Sequence, residues 1–78
     1  MLATVASVTS ANRLKKYAER VGYDTKVIQT PVSLTKEGCG YSLRFKDDLK
    51  PQIAEFASEL GIKIRAFWRE ENGEYIKV

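Results

Sequence analysis

The sequence predicts an α+β domain, one antiparallel sheet with two helices on one face, and three observations predict it. Two stretches carry apolar residues at spacings of three and four, the signature of helices with one buried side. Four others are short apolar or alternating runs, the signature of strands. An Asn72-Gly73 pair near the C-terminus marks a tight reversal between two extended segments.

The first run, residues 2–8, carries Val5 and Val8 among small residues and suits a central buried strand. Thr9 or Ser10 then offers an N-cap oxygen. Ala11, Leu14, Ala18 and Val21 follow at helical spacing with Arg13, Lys15, Lys16, Glu19 and Arg20 between them, and Gly22 stops the helix. Residues 24–30 alternate around Val27 as a second strand, ended by Pro31. Residues 32–40 read as a loop with two glycines around a cysteine. Tyr41, Leu43 and Phe45 then face one side and Ser42, Arg44 and Lys46 the other, a half-buried third strand.

Asp47 or Asp48 is placed to cap the second helix, and Pro51 suits a first turn because its missing N–H has no partner there anyway. Leu49, Ile53, Phe56, Ala57 and Leu60 make its buried stripe, and Gly61 closes it. Ile62, Ile64, Ala66 and Trp68 alternate with Lys63, Arg65, Phe67 and Arg69 in a fourth strand. Residues 74–78 return as a short edge strand after the reversal. The order β-α-β-β-α-β is the split βαβ pattern of ferredoxin-like domains, extended by a C-terminal hairpin strand. With no linker or repeat, residues 1–78 read as a single domain.

Composition removes most chemistry. The chain of 78 residues has no His and one Cys, so triads, Cys-His dyads, histidine metal ligands and internal disulfides are excluded. No metal or cofactor is expected. A lone thiol fits a reducing, cytoplasmic compartment. Thirteen basic against 10 acidic residues give a net charge of +3, mild attraction to anions that does not demand nucleic acid. The apolar start is too short to span a membrane and has no basic stretch before it, so neither membrane insertion nor a signal peptide is expected. Gly38 and Gly40 lack the Lys-Ser/Thr of a phosphate loop. Asp47-Asp48 reads as a cap and Glu70-Glu71 as a turn approach, not as acid/base pairs.

The one conspicuous reagent is Cys39, between Gly38 and Gly40. Flanking glycines permit backbone that other residues resist and leave the sulfur without neighbouring bulk. A nucleophilic sulfur needs that access, together with stabilisation of its thiolate by backbone N–H groups or by cations such as Lys36 and Arg44. The competing reading is a small buried apolar residue, since free Cys is often buried. Local chemistry leaves the two open.

The run from Ser10 through Phe45 resembles the selenium/sulfur carrier-like proteins, small domains of otherwise unknown function. The matching elements are Ser10-Ala11 at the first helix, Thr30-Pro31 after the second strand, Cys39-Gly40, and the third strand Tyr41-Ser42-Leu43-Arg44-Phe45. Two positions depart: Val32 stands where the family often has a basic or polar residue, and Thr35 where it often has serine. The resemblance implies that Cys39 holds sulfur or selenium as a persulfide or perselenide and passes it on. It implies Gly40 as the permissive neighbour, Pro31 and Thr35 as shapers of the loop, Arg44 as its flank and Ser10 as the helix start; Gly38, on the other side of the sulfur, joins the supporting loop on the local reading. The partners implied are a cysteine desulfurase-like donor and an acceptor protein.

Two other functions fit the same fold. An RNA-recognition-like module would place a Gly-aromatic motif on the third strand, but Cys39 stands in for a stacking aromatic and the first strand carries none. Nucleic acid is therefore not expected as a partner. A regulatory or dimerisation domain would pair through its sheet edge or through an aromatic patch of Tyr23, Phe67, Trp68 and Tyr75 on the open sheet face. The cationic side of the first helix is a further candidate dock for an acidic partner such as a desulfurase.

Overall fold

The apolar N-terminal run becomes β1 (Leu2–Val5), all four of whose residues are buried. In the computed structural model, which describes residues 1–34 and 40–78, it is followed by α1 (Val8–Arg20), β2 (Lys26–Gln29), β3 (Tyr41–Arg44), α2 (Lys50–Leu60), β4 (Ala66–Glu71) and β5 (Glu74–Lys77). The strands form one antiparallel sheet in the order β2-β3-β1-β4-β5. This is the ferredoxin-like arrangement with β5 added outside β4.

The two faces of the sheet follow from the period of two. Ala3 and Val5 of β1 and Leu43 of β3 meet Ala11, Leu14 and Ala18 of α1 and Ile53 and Ala57 of α2 in a single core, so both helices cover the same face. Phe45 joins that core and sets its ring edge-on to Phe67, 6.3 Å away. Burying each of these larger apolar side chains contributes on the order of 1.5–3 kcal/mol. Between the helices, Tyr17 donates to the Glu59 carboxylate, which holds the phenol above its ordinary pKa; desolvation and the Glu59 and Glu55 charges act in the same direction.

Several boundaries differ from the sequence reading. The α1 N-cap is Ser7 rather than Thr9 or Ser10: its backbone is extended, and its Oγ accepts the Ser10 N–H at 3.2 Å. That requirement ends β1 at Val5, short of the expected residue 8. Val21 lies past the last helical residue and is exposed, outside the stripe assigned to it, while Gly22 takes φ +91° just beyond. Asp47 and Asp48 do not cap α2: they occupy a 3-10 turn (Asp47–Leu49) from which the helix starts with no side-chain cap, Pro51 sitting in its first turn as expected.

Gly61 closes α2 in the left-handed conformation, and the Ile62 N–H bonds back to the Ala57 carbonyl. Ile62 is thereby tied into the helix end rather than a strand ladder, and β4 begins only at Ala66. The Asn72-Gly73 reversal is present, with φ of 52° and 79° matching the mirror-image turn that favours this pair.

Ser7→Ala is expected to destabilise the fold by about 1 kcal/mol, and Ser10→Ala by less, because only Ser7 supplies the cap acceptor. Urea denaturation of the two variants checks this; an equal loss would contradict the assignment.

Candidate functional site

The loop that carries Cys39 leaves the sheet after β2 and returns at β3, and hydroxyl chemistry ties its two ends together. The Thr30 N–H donates to the Gly40 carbonyl at 3.0 Å, and the Thr30 and Ser42 hydroxyls share a buried hydrogen bond of 2.7 Å. Pro31 opens the loop, its carbonyl accepting the Leu34 N–H at 2.9 Å around a 3-10 turn (Val32–Leu34). Gly40 closes it at φ +150°, backbone that favours glycine. A β-carbon there would stand 3.5 Å from Thr30 Oγ1 and 3.8 Å from the Val5 carbonyl, so Gly40 is set against both β1 and the end of β2.

Against this neck lies a cleft of about 110 Å³, lined among others by Thr4, Thr30, Leu34, Gly40, Arg65 and Trp68. Small-molecule sites run to about 300–1,000 Å³, so this one suits a group of a few atoms and not an organic cofactor. The Thr4 hydroxyl is already committed, donating to the Ala66 carbonyl at 3.1 Å. Among the described residues two donors of the cleft have no acceptor: Arg65, which is exposed, and the Trp68 indole, whose Nε1 is shielded from solvent. Arg65 is held there by its own backbone, the N–H of which donates to the Thr4 carbonyl at 2.8 Å where β4 approaches β1.

The residues singled out from the sequence separate in space. Pro31 and Gly40 stand at the two ends of the loop, as described. Thr35, Gly38 and Cys39, with Lys36, lie outside the described residues. Ser10 belongs to the first turn of α1, where it is bonded to Ser7. Arg44 is at the far end of β3, roughly 10 Å along the strand from Tyr41. There it lines a second, wider groove of about 560 Å³ with Lys15, Asp24, Lys26 and Lys46. The cation that does line the cleft is Arg65, a residue the sequence reading had placed only as a strand position.

The aromatic residues also divide. Tyr23, Tyr41 and Phe67 pack against the core on the helix side, whereas Trp68 and Tyr75 alternate onto the open face. The two central strands therefore give that face Leu2, Thr4, Ser42 and Arg44, and no stacking platform for bases.

The family model described as "Putative Se/S carrier protein-like" matches residues 1–69 of the chain, both helices and the whole cysteine loop included. The chain belongs to this family. Comparison with curated proteins and with solved structures gave no match. Membership agrees with the resemblance read from Thr30-Pro31 and from the run Cys39 to Phe45, and of these family positions Thr30, Gly40 and Ser42 form the neck of the loop. No helix among the described residues is long and apolar enough to cross a membrane.

Replacing Thr30 by the isosteric Val leaves the buried Ser42 hydroxyl without its partner and is expected to cost about 1–3 kcal/mol. The double variant Thr30→Val/Ser42→Ala, with both hydroxyls gone, recovers part of that loss. Thermal denaturation of the single and double variants measures it; additive losses would show that the pair does not act as a unit.

Proposed function

We propose that the protein is a sulfur or selenium carrier that holds one chalcogen atom on Cys39 and hands it to an acceptor protein. The observation that carries this reading is the family match, which spans residues 1–69 and so includes Cys39, the sole cysteine of the chain. The chemistry of the loop's surroundings supports it. Cys39 is joined by one peptide bond to Gly40, which lines the cleft together with Arg65 and with Trp68, whose indole N–H has no acceptor among the described residues.

The transfer step balances without an added oxidant. The Cys39 thiolate attacks the terminal sulfur of a donor persulfide, a new S–S bond forms at Cys39, and the donor's S–S bond breaks. The donor leaves as a thiolate, and no net oxidation occurs. The acceptor repeats the exchange with Cys39 as leaving group. Neither step requires a general base once the thiol is ionised, which fits a chain without histidine. A guanidinium on the cleft next to Gly40 is the kind of group that would favour a thiolate or a persulfide anion brought to it. A cysteine desulfurase-like enzyme is the donor of the required chemistry, and a reducing compartment such as the cytoplasm keeps the lone thiol free.

Incubation with a cysteine desulfurase and free cysteine is expected to add one sulfur to the intact protein, read by mass spectrometry. Cys39→Ala should show no adduct, and Arg65→Gln should load about two- to tenfold more slowly at neutral pH because less thiolate is present. Absence of any adduct on the unaltered protein would sink the proposal.

A further inference from the structure

The open face of the sheet carries a charge pattern that the carrier reading does not use. One register row crosses all five strands: Lys26 of β2 stands opposite Arg44 of β3, Arg44 opposite Leu2 of β1, Leu2 opposite Trp68 of β4, and Trp68 opposite Lys77 of β5. Leu2 alternates with the core residues Ala3 and Val5, so the row lies on the face away from the helices. Lys26 and Arg44 are like charges directly opposite each other, an arrangement that destabilises a sheet. Lys26, Arg44 and Lys77 are exposed, and none has an ion-pair partner among the described residues. Within the strands, Glu70 is the one carboxylate on this face.

The helix layer is different. Arg13, Lys16 and Arg20 of α1 gather around Tyr17, where Glu55 and Glu59 of α2 also act, so the cations there stand among carboxylates. Of the two cationic surfaces, the sheet row is the one that carries three cations and no carboxylate of its own, Asp24 and Glu70 lying beside it.

From this we infer that the open sheet face is the docking surface for an acidic protein surface, seated on the row Lys26–Arg44–Leu2–Trp68–Lys77. The identity of that partner rests on the carrier reading: it is the protein that gives sulfur to Cys39 or takes it. The same face holds the cleft, since Thr4, Ala66 and Trp68 line it, so a partner seated on the row reaches the neck of the loop without reorientation. Charge complementarity selects the occupant. A second copy of the chain would bring like charges together. Nucleic acid lacks stacking platforms on the two central strands, and the exposed apolar side chains Val8, Val21, Ile76 and Val78 that could insert into a membrane lie off this face.

Trp68 is the sole tryptophan and sits within the row, so its fluorescence reports binding directly. The test is a titration of the unloaded protein with poly-L-glutamate at low salt, followed by Trp68 fluorescence and by amide NMR. The expected result is saturable binding that shifts the amides around Lys26, Arg44, Trp68 and Lys77. Lys26→Glu/Lys77→Glu should weaken it about tenfold, and the milder Lys26→Gln/Lys77→Gln variant should weaken it less. Both exchanges are at exposed positions, and amide dispersion confirms that the variants fold. Loading of Cys39 from inorganic polysulfide by these variants should be unchanged, so failure of loading alone would count against the carrier reading and not against the docking surface. Shifts centred on Arg13, Lys16 and Arg20, or affinity unaltered in the Glu variant, would overturn the inference. So would single-stranded poly(U) or phosphatidylserine vesicles binding through Trp68 with an affinity that survives the Glu exchange.

Discussion

β1 is the strand on which every other element depends. It lies between β3 and β4, and all four of its residues are buried, Ala3 and Val5 under the helices and Leu2 and Thr4 on the opposite face. Its backbone sets the register of both neighbours, and through them of both edge strands. A slip of one residue would exchange Ala3 and Val5 for Leu2 and Thr4 beneath the helices and place a threonine in the core. The same register brings Thr4 beside Ser42 and Ala66, and it lets the Thr4 carbonyl fix the backbone of Arg65. The site is thus a consequence of how the central strand is held.

That dependence explains the placement of polar groups in so small a domain. Thr30 and Ser42 are buried, and each hydroxyl would cost free energy there without the other. Together with the Thr30–Gly40 backbone bond they join the end of β2 to the start of β3. Glycine at position 40 follows from the same closure: its φ of +150° is strained for any residue with a β-carbon.

Local patterns in the sequence were enough for the fold. The alternation of Tyr41, Ser42, Leu43 and Arg44 made β3 legible, the stripe Leu49–Ile53–Phe56–Ala57–Leu60 made α2 legible, and Asn72-Gly73 fixed the hairpin. Boundaries were harder because several residues could satisfy one rule. Ser7, Thr9 and Ser10 all carry a capping oxygen, and only the tertiary course of the chain selects Ser7. Val21 keeps the helical spacing, yet the helix has already ended before it. The site was only half legible. Its loop is contiguous in sequence, so Gly38, Cys39 and Gly40 stood out by local chemistry, and Pro31 by the family resemblance. Arg65 enters through β1–β4 pairing across about sixty residues, a contact that no local window contains. Arg44 illustrates the converse: it is close to the cysteine in sequence, but extended backbone carries it to the other end of the sheet.

The proposed carrier role requires that the Cys39 thiol be accessible and ionise without a catalytic base. The most direct measurement is the pH dependence of its alkylation rate by iodoacetamide in the native protein, where no second thiol competes. Rapid alkylation is expected, with an inflection below neutral pH that moves upward in Arg65→Gln. A native thiol that resists alkylation, or that ionises only near the ordinary cysteine value of about 8.5, would contradict it.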